Sequence, residues 1–200
     1  MSVLTRRTLL VGIAASPLLL HAAWAQPTNL KISHQFPGGS VAEGDFRDRL
    51  CRMFATETER RTKGRVKFSI YPHSSLMKSE AQIPALARGA LDISLVPLSY
   101  AGAELPEVNI GLMPGLVTSY EQGYAWKNEE IGKEFNRVLA DKGLIMLSWI
   151  WQAGGMASRG KPVVDPEGGA GMRVRGRSHG METALEEAGA NVVSMPSNDI

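Results

Sequence analysis

The sequence predicts an α/β fold built on a parallel sheet, and two observations carry that prediction. Segments with the alternating pattern of strands take turns along the chain with segments of helical spacing, as in strand–helix–strand units. Residues 144–151 (LIMLSWIW) are almost entirely apolar, which is typical of a central strand buried on both faces. A second α/β unit begins after Trp151 and has reached only its second strand by Ile200, so we expect a second domain that is incomplete in these residues.

The elements follow one another in a regular order. Residues 40–43, 79–82 and 119–122 are Ser-x-x-Glu/Gln capping boxes, and each predicts the start of a helix. A basic residue followed by glycine ends each of these three helices. A fourth helix is expected over 178–188, and the expected strands are 29–33, 66–71, 92–96, 144–151, 172–175 and 191–194.

The first of these helices has an apolar face. Phe46, Leu50, Met53 and Phe54 recur at helical spacing along it. Acidic and basic residues four apart, such as Asp48 and Arg52, are expected to pair on a separate, solvated face.

Residues 1–25 have the three parts of a secretory signal. Arg6 and Arg7 form a basic start, residues 9–20 form an apolar stretch, and residues 23–25 (AWA) form a cleavage site. The paired arginines also resemble a twin-arginine signal, whereas the alternative interpretation is a buried helix or a membrane anchor. We therefore expect a cleaved signal peptide and a periplasmic protein, with a first domain over 26–151 and the start of a second over 152–200.

Composition excludes several classes of protein. Without residues 1–25 the 22 basic residues fall to 20 and match the 20 acidic ones, so no basic excess favours nucleic acid. One cysteine, Cys51, cannot form a disulfide scaffold. The histidines have no metal-ligand spacing and no nucleotide-binding motif is present, so we expect no cofactor and no metal.

One motif is enzyme-like. Residues 176–180 (GRSHG) match G-x-S-x-G between an expected strand and an expected helix, as a nucleophile elbow requires. A triad would need an acid and then a histidine after Ser178, yet the only histidine there is the adjacent His179. The alternative is that Ser178 caps the helix, and a secreted serine hydrolase remains the less favoured interpretation.

Three other groups of residues suggest ligand binding. Gly38, Gly39 and Ser40 could present free amide groups to an anion. Trp149 and Trp151 share one strand face, which either packs in the core or lines a cleft. Arg173, Arg175 and Arg177 alternate along the fifth expected strand and just beyond it, where they either form a solvated edge or hold a ligand.

Four motifs in order resemble one family. The chain is similar to the DctP-like periplasmic solute-binding subunits of TRAP (tripartite ATP-independent periplasmic) transporters over essentially all of 29–200. The motifs that carry the resemblance are 31–34 (KISH), 59–66 (ERRTKGRV), 87–93 (ARGALDI) and the segment from 161–167 (KPVVDPE) to 171–175 (GMRVR).

The resemblance implies a two-domain clamshell of the periplasmic binding protein type. Such a protein is not an enzyme: it captures an organic acid and delivers it to TRAP-type membrane permease subunits without entering the membrane itself. The soluble component of an ATP-driven importer has the same architecture and is the alternative binding protein. Many sialate- or dicarboxylate-binding members carry an arginine where this chain has residues 152–155 (QAGG), which leaves room for a monocarboxylate or an aromatic acid.

The resemblance also places the binding residues. The family's ligand-binding arginine falls on Arg175, whose guanidinium presents a planar fork to two carboxylate oxygens. Lysine cannot reproduce that geometry. The other expected site residues are Trp151 and Gln152 lining the cleft from the first domain, Glu80 at the start of a helix, and Ser197 and Asn198 in the turn after the last strand.

Overall fold

Two small parallel sheets organise the chain in the computed structural model, which describes residues 26–200. The first sheet has the order β2-β1-β3, with β1 (Thr28–His34) between β2 (Val66–Tyr71) and β3 (Ile93–Leu95). The second sheet pairs β4 (Arg173–Gly176) with β5 (Asn191–Ser194). All strand pairs are parallel, which confirms the predicted α/β class.

Helices connect the parallel strands, as parallel pairing requires. Short 3-10 turns, among them Leu98–Ala101 and Ser197–Asp199, lie after strands β3 and β5. The α-helices are α1 (Phe46–Arg61), α2 (Ser79–Ala87), α3 (Tyr120–Ala125), α4 (Glu130–Ala140) and α5 (His179–Glu187).

The predicted strand over 144–151 is wrong. This segment has no regular secondary structure, and Ile145 and Leu147 are 80% and 59% exposed. Four of its apolar side chains pack against the main apolar cluster around Trp126 and α4: Leu144, Met146, Trp149 and Trp151. The segment therefore buries one side only and pairs with no strand in residues 26–200, so its apolar composition mimicked a doubly buried strand.

Two of the three capping boxes mark the start of a helix as predicted, but only one of them forms a side-chain cap. The Ser119 hydroxyl accepts from the backbone amide of Gln122 and caps α3. Ser40 instead closes a turn on the amide of Glu43, and α1 begins six residues later with Asp45 as its cap. Helix α2 does begin at Ser79, but without a side-chain cap.

The predicted third helix is also divided in two. Extended backbone at Glu129 separates α3 from α4. The capping box at 119–122 therefore marks a helix start, but the residues after it gave no sign that the helix is interrupted at Glu129.

Helix α1 buries a different face from the one that its pattern predicts. Phe46 and Met53 are 49% and 53% exposed, whereas Asp48 and Cys51 are buried. Asp48 is held there by Arg52, whose Nε donates to Asp48 Oδ2 at 2.7 Å, and by His34 at 3.0 Å. The Asp48–Arg52 pair was expected, but it lies at the buried face of α1 and not on a solvated one.

The expected signal peptide lies outside the described residues. Within residues 26–200, no helix combines the length and the apolar character that a membrane crossing needs.

Candidate ligand-binding site

Polar side chains gather where the parallel strands of both sheets end. Gln35 follows β1 directly, and Tyr100 lies in the turn after β3. Arg175 is part of β4, and Ser197 lies in the turn after β5. Hydrogen bonds join these residues across the two sheets, which is where open α/β folds bind their ligands.

Tyr100 is the centre of this group. Its side chain is buried, and its hydroxyl accepts from Gln35 Nε2 at 3.2 Å, from Arg175 Nη2 at 3.2 Å and from the backbone amide of Ser197 at 3.1 Å. Gln35 Nε2 also donates to Ser197 Oγ at 3.1 Å. The buried Oε1 atom of Gln35 has no partner among the described residues.

Arg175 carries a charge that no described neighbour neutralises. Its Nε donates to the carbonyl oxygen of Met195 at 2.7 Å, and its other protein partner is the neutral hydroxyl of Tyr100. No carboxylate in residues 26–200 lies within 4.0 Å of its guanidinium. A half-buried cation with only neutral partners can bind an anion of suitable shape.

A second arginine at the site is already paired. Arg177 lies 3.5 Å from Glu80 and stacks over the Tyr100 ring, with its guanidinium carbon 4.3 Å from the ring centre. Nearby, Ser79 Oγ donates to Asn198 Oδ1 at 3.4 Å. The structure therefore brings together four of the six predicted site residues: Arg175, Glu80, Ser197 and Asn198.

The other two predicted site residues lie in different surroundings. Trp151 meets Trp126 edge to face with ring centres 5.1 Å apart, stacks against Trp149 at 6.3 Å, and belongs to the apolar cluster. Gln152 is exposed, and its Oε1 accepts from Arg47 Nη1 at 3.4 Å. No described hydrogen bond links either residue to the group around Tyr100.

The enzyme-like motif contains a helix cap. Ser178 is buried, and its hydroxyl accepts from the backbone amide of Met181 at 3.4 Å, at the start of α5. His179 is the first residue of α5 and is exposed. The hydroxyl of Ser178 therefore has a structural partner.

The glycine-rich loop uses two of its three backbone amides inside the protein. The backbone amide of Gly39 donates to Asp48 Oδ2 at 2.9 Å, and that of Ser40 donates to the carbonyl oxygen of Glu43 at 2.9 Å. With these two donors used inside the protein, the loop does not present the predicted group of three free amides to an anion.

Two other features of residues 26–200 bear on ligand binding. Residues 26–200 contain no group of three or more His, Cys, Asp or Glu side chains placed to hold a metal ion. A shallow cavity of about 380 Å³ lies between α1 and residues 148–150, lined by Phe46, Leu50, Met53 and Tyr124 among others. The polar group around Tyr100 does not line it.

Sequence reasoning missed Tyr100 and Gln35. Both lie just beyond strands that were predicted, β3 and β1. The rule that parallel sheets bind ligands at the carboxyl ends of their strands was the signal that could have found them.

A protein-family model describes the chain from residue 38 onwards. Residues 38–200 match the model of the bacterial extracellular solute-binding proteins of family 7, called DctP. This span is more than half of the chain.

Curated relatives carry matching names. A solute-binding protein of Albidiferax ferrireducens is 62% identical over 189 residues, which are 94% of this chain and 56% of that protein. The C4-dicarboxylate-binding periplasmic protein DctP of Rhodobacter capsulatus is 29% identical over 177 residues, or 86% of this chain and 51% of that protein. The chain thus spans about half the length of these relatives.

Solved structures share the fold. A TRAP periplasmic solute-binding protein from Rhodoferax ferrireducens, crystallised with malonate, has 64% identity and a TM-score of 0.83 over 85% of this chain and 54% of that one. A TRAP solute-binding protein from Sulfurospirillum deleyianum with bound succinate is 24% identical, with a TM-score of 0.75 over 87% of this chain and 55% of that one. The chain therefore has the periplasmic binding protein fold, of which it spans about 55%.

Proposed function

The chain belongs to the DctP family of bacterial extracellular solute-binding proteins, and from that membership we propose that it captures an organic acid in the periplasm and delivers it to a TRAP-type membrane transporter. The family is one of solute-binding proteins, and no catalytic step is part of the proposal. The resemblance to TRAP proteins favours this transporter over an ATP-driven importer.

One observation carries the choice of ligand. Arg175 is half-buried, its protein partners are neutral, and it lies where strands of both sheets end. A carboxylate supplies the missing negative charge and two parallel acceptors for the guanidinium fork. Closing the site around this pair would remove water and strengthen the attraction.

The relatives' ligands agree with this choice. The Rhodoferax ferrireducens protein, 64% identical to this chain, was crystallised with malonate, a small dicarboxylate. We take malonate as the first probe for this chain. The uncharged stretch 152–155 makes monocarboxylates and aromatic acids the second group to test.

The remaining site residues keep the roles that the family resemblance gives them. Ser197 and Asn198 would contribute hydroxyl and amide groups from the second unit, and Glu80 a carboxylate from the first. Trp151 and Gln152 are proposed to line the cleft where the first domain, over 26–151, meets the second, which would begin at 152. Residues 1–25 would direct export to the periplasm.

Calorimetry on the protein purified from the periplasm of its own cells tests the proposal. The ligand panel is malonate, monocarboxylates and aromatic acids, and we expect wild type to bind at least one of them. Arg175→Lys should weaken that binding by about 1–3 kcal/mol, because lysine offers no planar fork to the carboxylate. Arg173→Lys is the matched control, since Arg173 is exposed on the same strand. Equal affinity in wild type and Arg175→Lys would remove Arg175 from the site.

Native mass spectrometry of the same preparation gives an independent check. A small acid that stays with the folded protein and is lost on unfolding would support the proposal. If no acid is retained and none of the panel binds, the proposed function is wrong.

A further inference from the structure

The guanidinium of Arg175 is held along one of its edges only. Nε donates to the carbonyl oxygen of Met195 at 2.7 Å, and Nη2 donates to the Tyr100 hydroxyl at 3.2 Å. A guanidinium has five N–H groups, so both hydrogens of Nη1 and one of Nη2 remain. The two contacts use the Nε–Nη2 edge and leave the Nη1–Nη2 edge available.

We propose that Tyr100 is a positioning residue whose hydroxyl fixes the Arg175 guanidinium so that its Nη1–Nη2 edge receives the carboxylate. The inference rests on the proposed function, in which Arg175 binds an acid. A carboxylate needs two parallel N–H donors to bind in bidentate fashion. The Nε–Nη2 edge cannot supply them while Met195 and Tyr100 occupy it.

The Tyr100 hydroxyl can act this way because it is itself fixed from both sheets. It also accepts from Gln35 Nε2, at the end of β1, and from the backbone amide of Ser197, after β5. Gln35 is only 2% exposed, so its amide has little freedom to turn. An arginine held in this way loses less conformational entropy when the ligand arrives.

The Tyr100 ring has a separate contact, which makes a clean substitution possible. Arg177 stacks over the ring at 4.3 Å, and Phe at position 100 would keep that contact. Tyr100→Phe removes only the oxygen atom that accepts from Arg175, Gln35 and Ser197.

Isothermal calorimetry with malonate measures the consequence. We expect Tyr100→Phe to bind malonate roughly tenfold more weakly than wild type, the effect of losing one hydrogen bond to a charged group. Tyr120→Phe is the matched control, because Tyr120 is 54% exposed on α3 and contacts Tyr124 instead. This control variant should bind malonate as wild type does.

A spectroscopic readout separates positioning from mere stability. The Nε–H resonance of Arg175 should move in Tyr100→Phe even without ligand, because the guanidinium loses its fixed orientation. In an Arg175→Lys background the same substitution should cost much less affinity, since lysine has no fork to orient. A lower melting temperature with an unmoved Arg175 resonance would overturn the proposal.

Wild type alone tests which edge binds the ligand. Malonate should shift the Nη resonances of Arg175 more than its Nε resonance, and the opposite pattern would overturn the proposal. If wild type binds malonate and Tyr100→Phe binds it equally well, the positioning role is wrong while the proposed function stands. If wild type binds no acid, the proposed function fails, and the ligand-free Arg175 resonance still decides whether Tyr100 holds the guanidinium.

Discussion

Ser178 is buried at the start of α5, and its hydroxyl accepts from the amide of Met181. We expect Ser178→Ala to lower the free energy of unfolding by about 0.5–2 kcal/mol, the usual cost of losing a helix cap. Acid binding should change little, because Ser178 makes no described contact with Arg175. Chemical denaturation and malonate calorimetry measure the two effects.

Ser178→Thr is the control for that prediction, because threonine is also a helix cap and brings no charge into this buried position. Its unfolding free energy should stay nearer that of wild type. Should wild type hydrolyse p-nitrophenyl acetate and Ser178→Ala lose that turnover, the serine hydrolase alternative would be revived and our interpretation of Ser178 contradicted.

His34 makes stability depend on pH. Burial is the largest influence on the pKa of His34 and lowers it, outweighing Asp48, which raises it. The unfolded chain therefore binds a proton near pH 6.5 that the folded chain binds only at lower pH. The free energy of unfolding should fall as pH decreases below about 6.5, by at most about 1.4 kcal/mol per pH unit.

Urea denaturation between pH 7.5 and 5 checks this expectation. His34→Gln should flatten the pH dependence, whereas His73→Asn should keep it, because His73 is exposed and its positive φ of 55° suits asparagine. An NMR titration in which His34 takes up its proton at or above pH 6.5 in the folded state would contradict the prediction.

At this scale, the sequence allowed some site residues to be predicted and hid others. Arg175 was predicted because a motif places it, and the structure leaves its charge without a described carboxylate partner. Tyr100 could not be recognised in the same way. It lies outside the predicted strands and helices, and its hydroxyl accepts from residues far away in the chain, such as Ser197. Local patterns record periodicity, whereas this site depends on contacts between distant residues.

Among the elements, α3 packs closely against the apolar segment 144–151, which follows α4. A Cβ atom on Gly123 would lie 2.7 Å from Trp151 Cδ2. Alanine normally favours a helix over glycine by about 1 kcal/mol. We expect the reverse here: Gly123→Ala should destabilise the fold by about 1–3 kcal/mol, because the indole must move.

Thermal unfolding followed by tryptophan fluorescence measures this effect. The matched control is Gly154→Ala, since a Cβ atom there meets nothing within 4 Å and its φ is not positive. A melting temperature for Gly123→Ala at or above that of wild type would show that Trp151 does not pack on α3 as the structure has it.

The strands were predicted better than the segments between them. Strands β2 and β5 have the predicted bounds, 66–71 and 191–194, because alternation and flanking turns define a short strand locally. The strand predicted over 144–151 is wrong, because about half of this apolar segment packs on other residues and none of it pairs with a strand in the described part of the chain. An apolar composition indicates that side chains are buried. A strand also needs a neighbouring strand to pair with, and composition does not reveal one.

At the scale of the whole molecule, the two sheets meet through polar side chains. Gln35 and Ser197 are 162 positions apart in sequence and yet joined by a hydrogen bond. No periodicity in the sequence could place them together, and only the family resemblance predicted two units facing each other. Other bridging pairs are Tyr100 with Arg175 and with the Ser197 amide, Ser79 with Asn198, and Glu80 with Arg177.

The polar contacts between the two sheets should separate at a small cost in free energy. Glu80 is 41% exposed and 3.5 Å from Arg177, so solvent limits the pair to under about 1 kcal/mol. Glu80→Gln should therefore raise the population of separated units only a few-fold. Spin labels on Lys67→Cys and Glu187→Cys, both at exposed positions, would report this as a broader distance distribution.

Two properties of the chain make that measurement interpretable. Burial raises the pKa of Cys51 to about 12, so its thiol should escape labelling under native conditions. Glu57→Gln is the control, because Glu57 pairs with Arg60 and Arg61 on its own helix and cannot hold the units together. Malonate should narrow the Glu80→Gln distribution again, since a ligand held by residues of both units favours the closed arrangement. Identical distributions for wild type, Glu80→Gln and Glu57→Gln would mean that the polar contacts do not govern the separation of the two units.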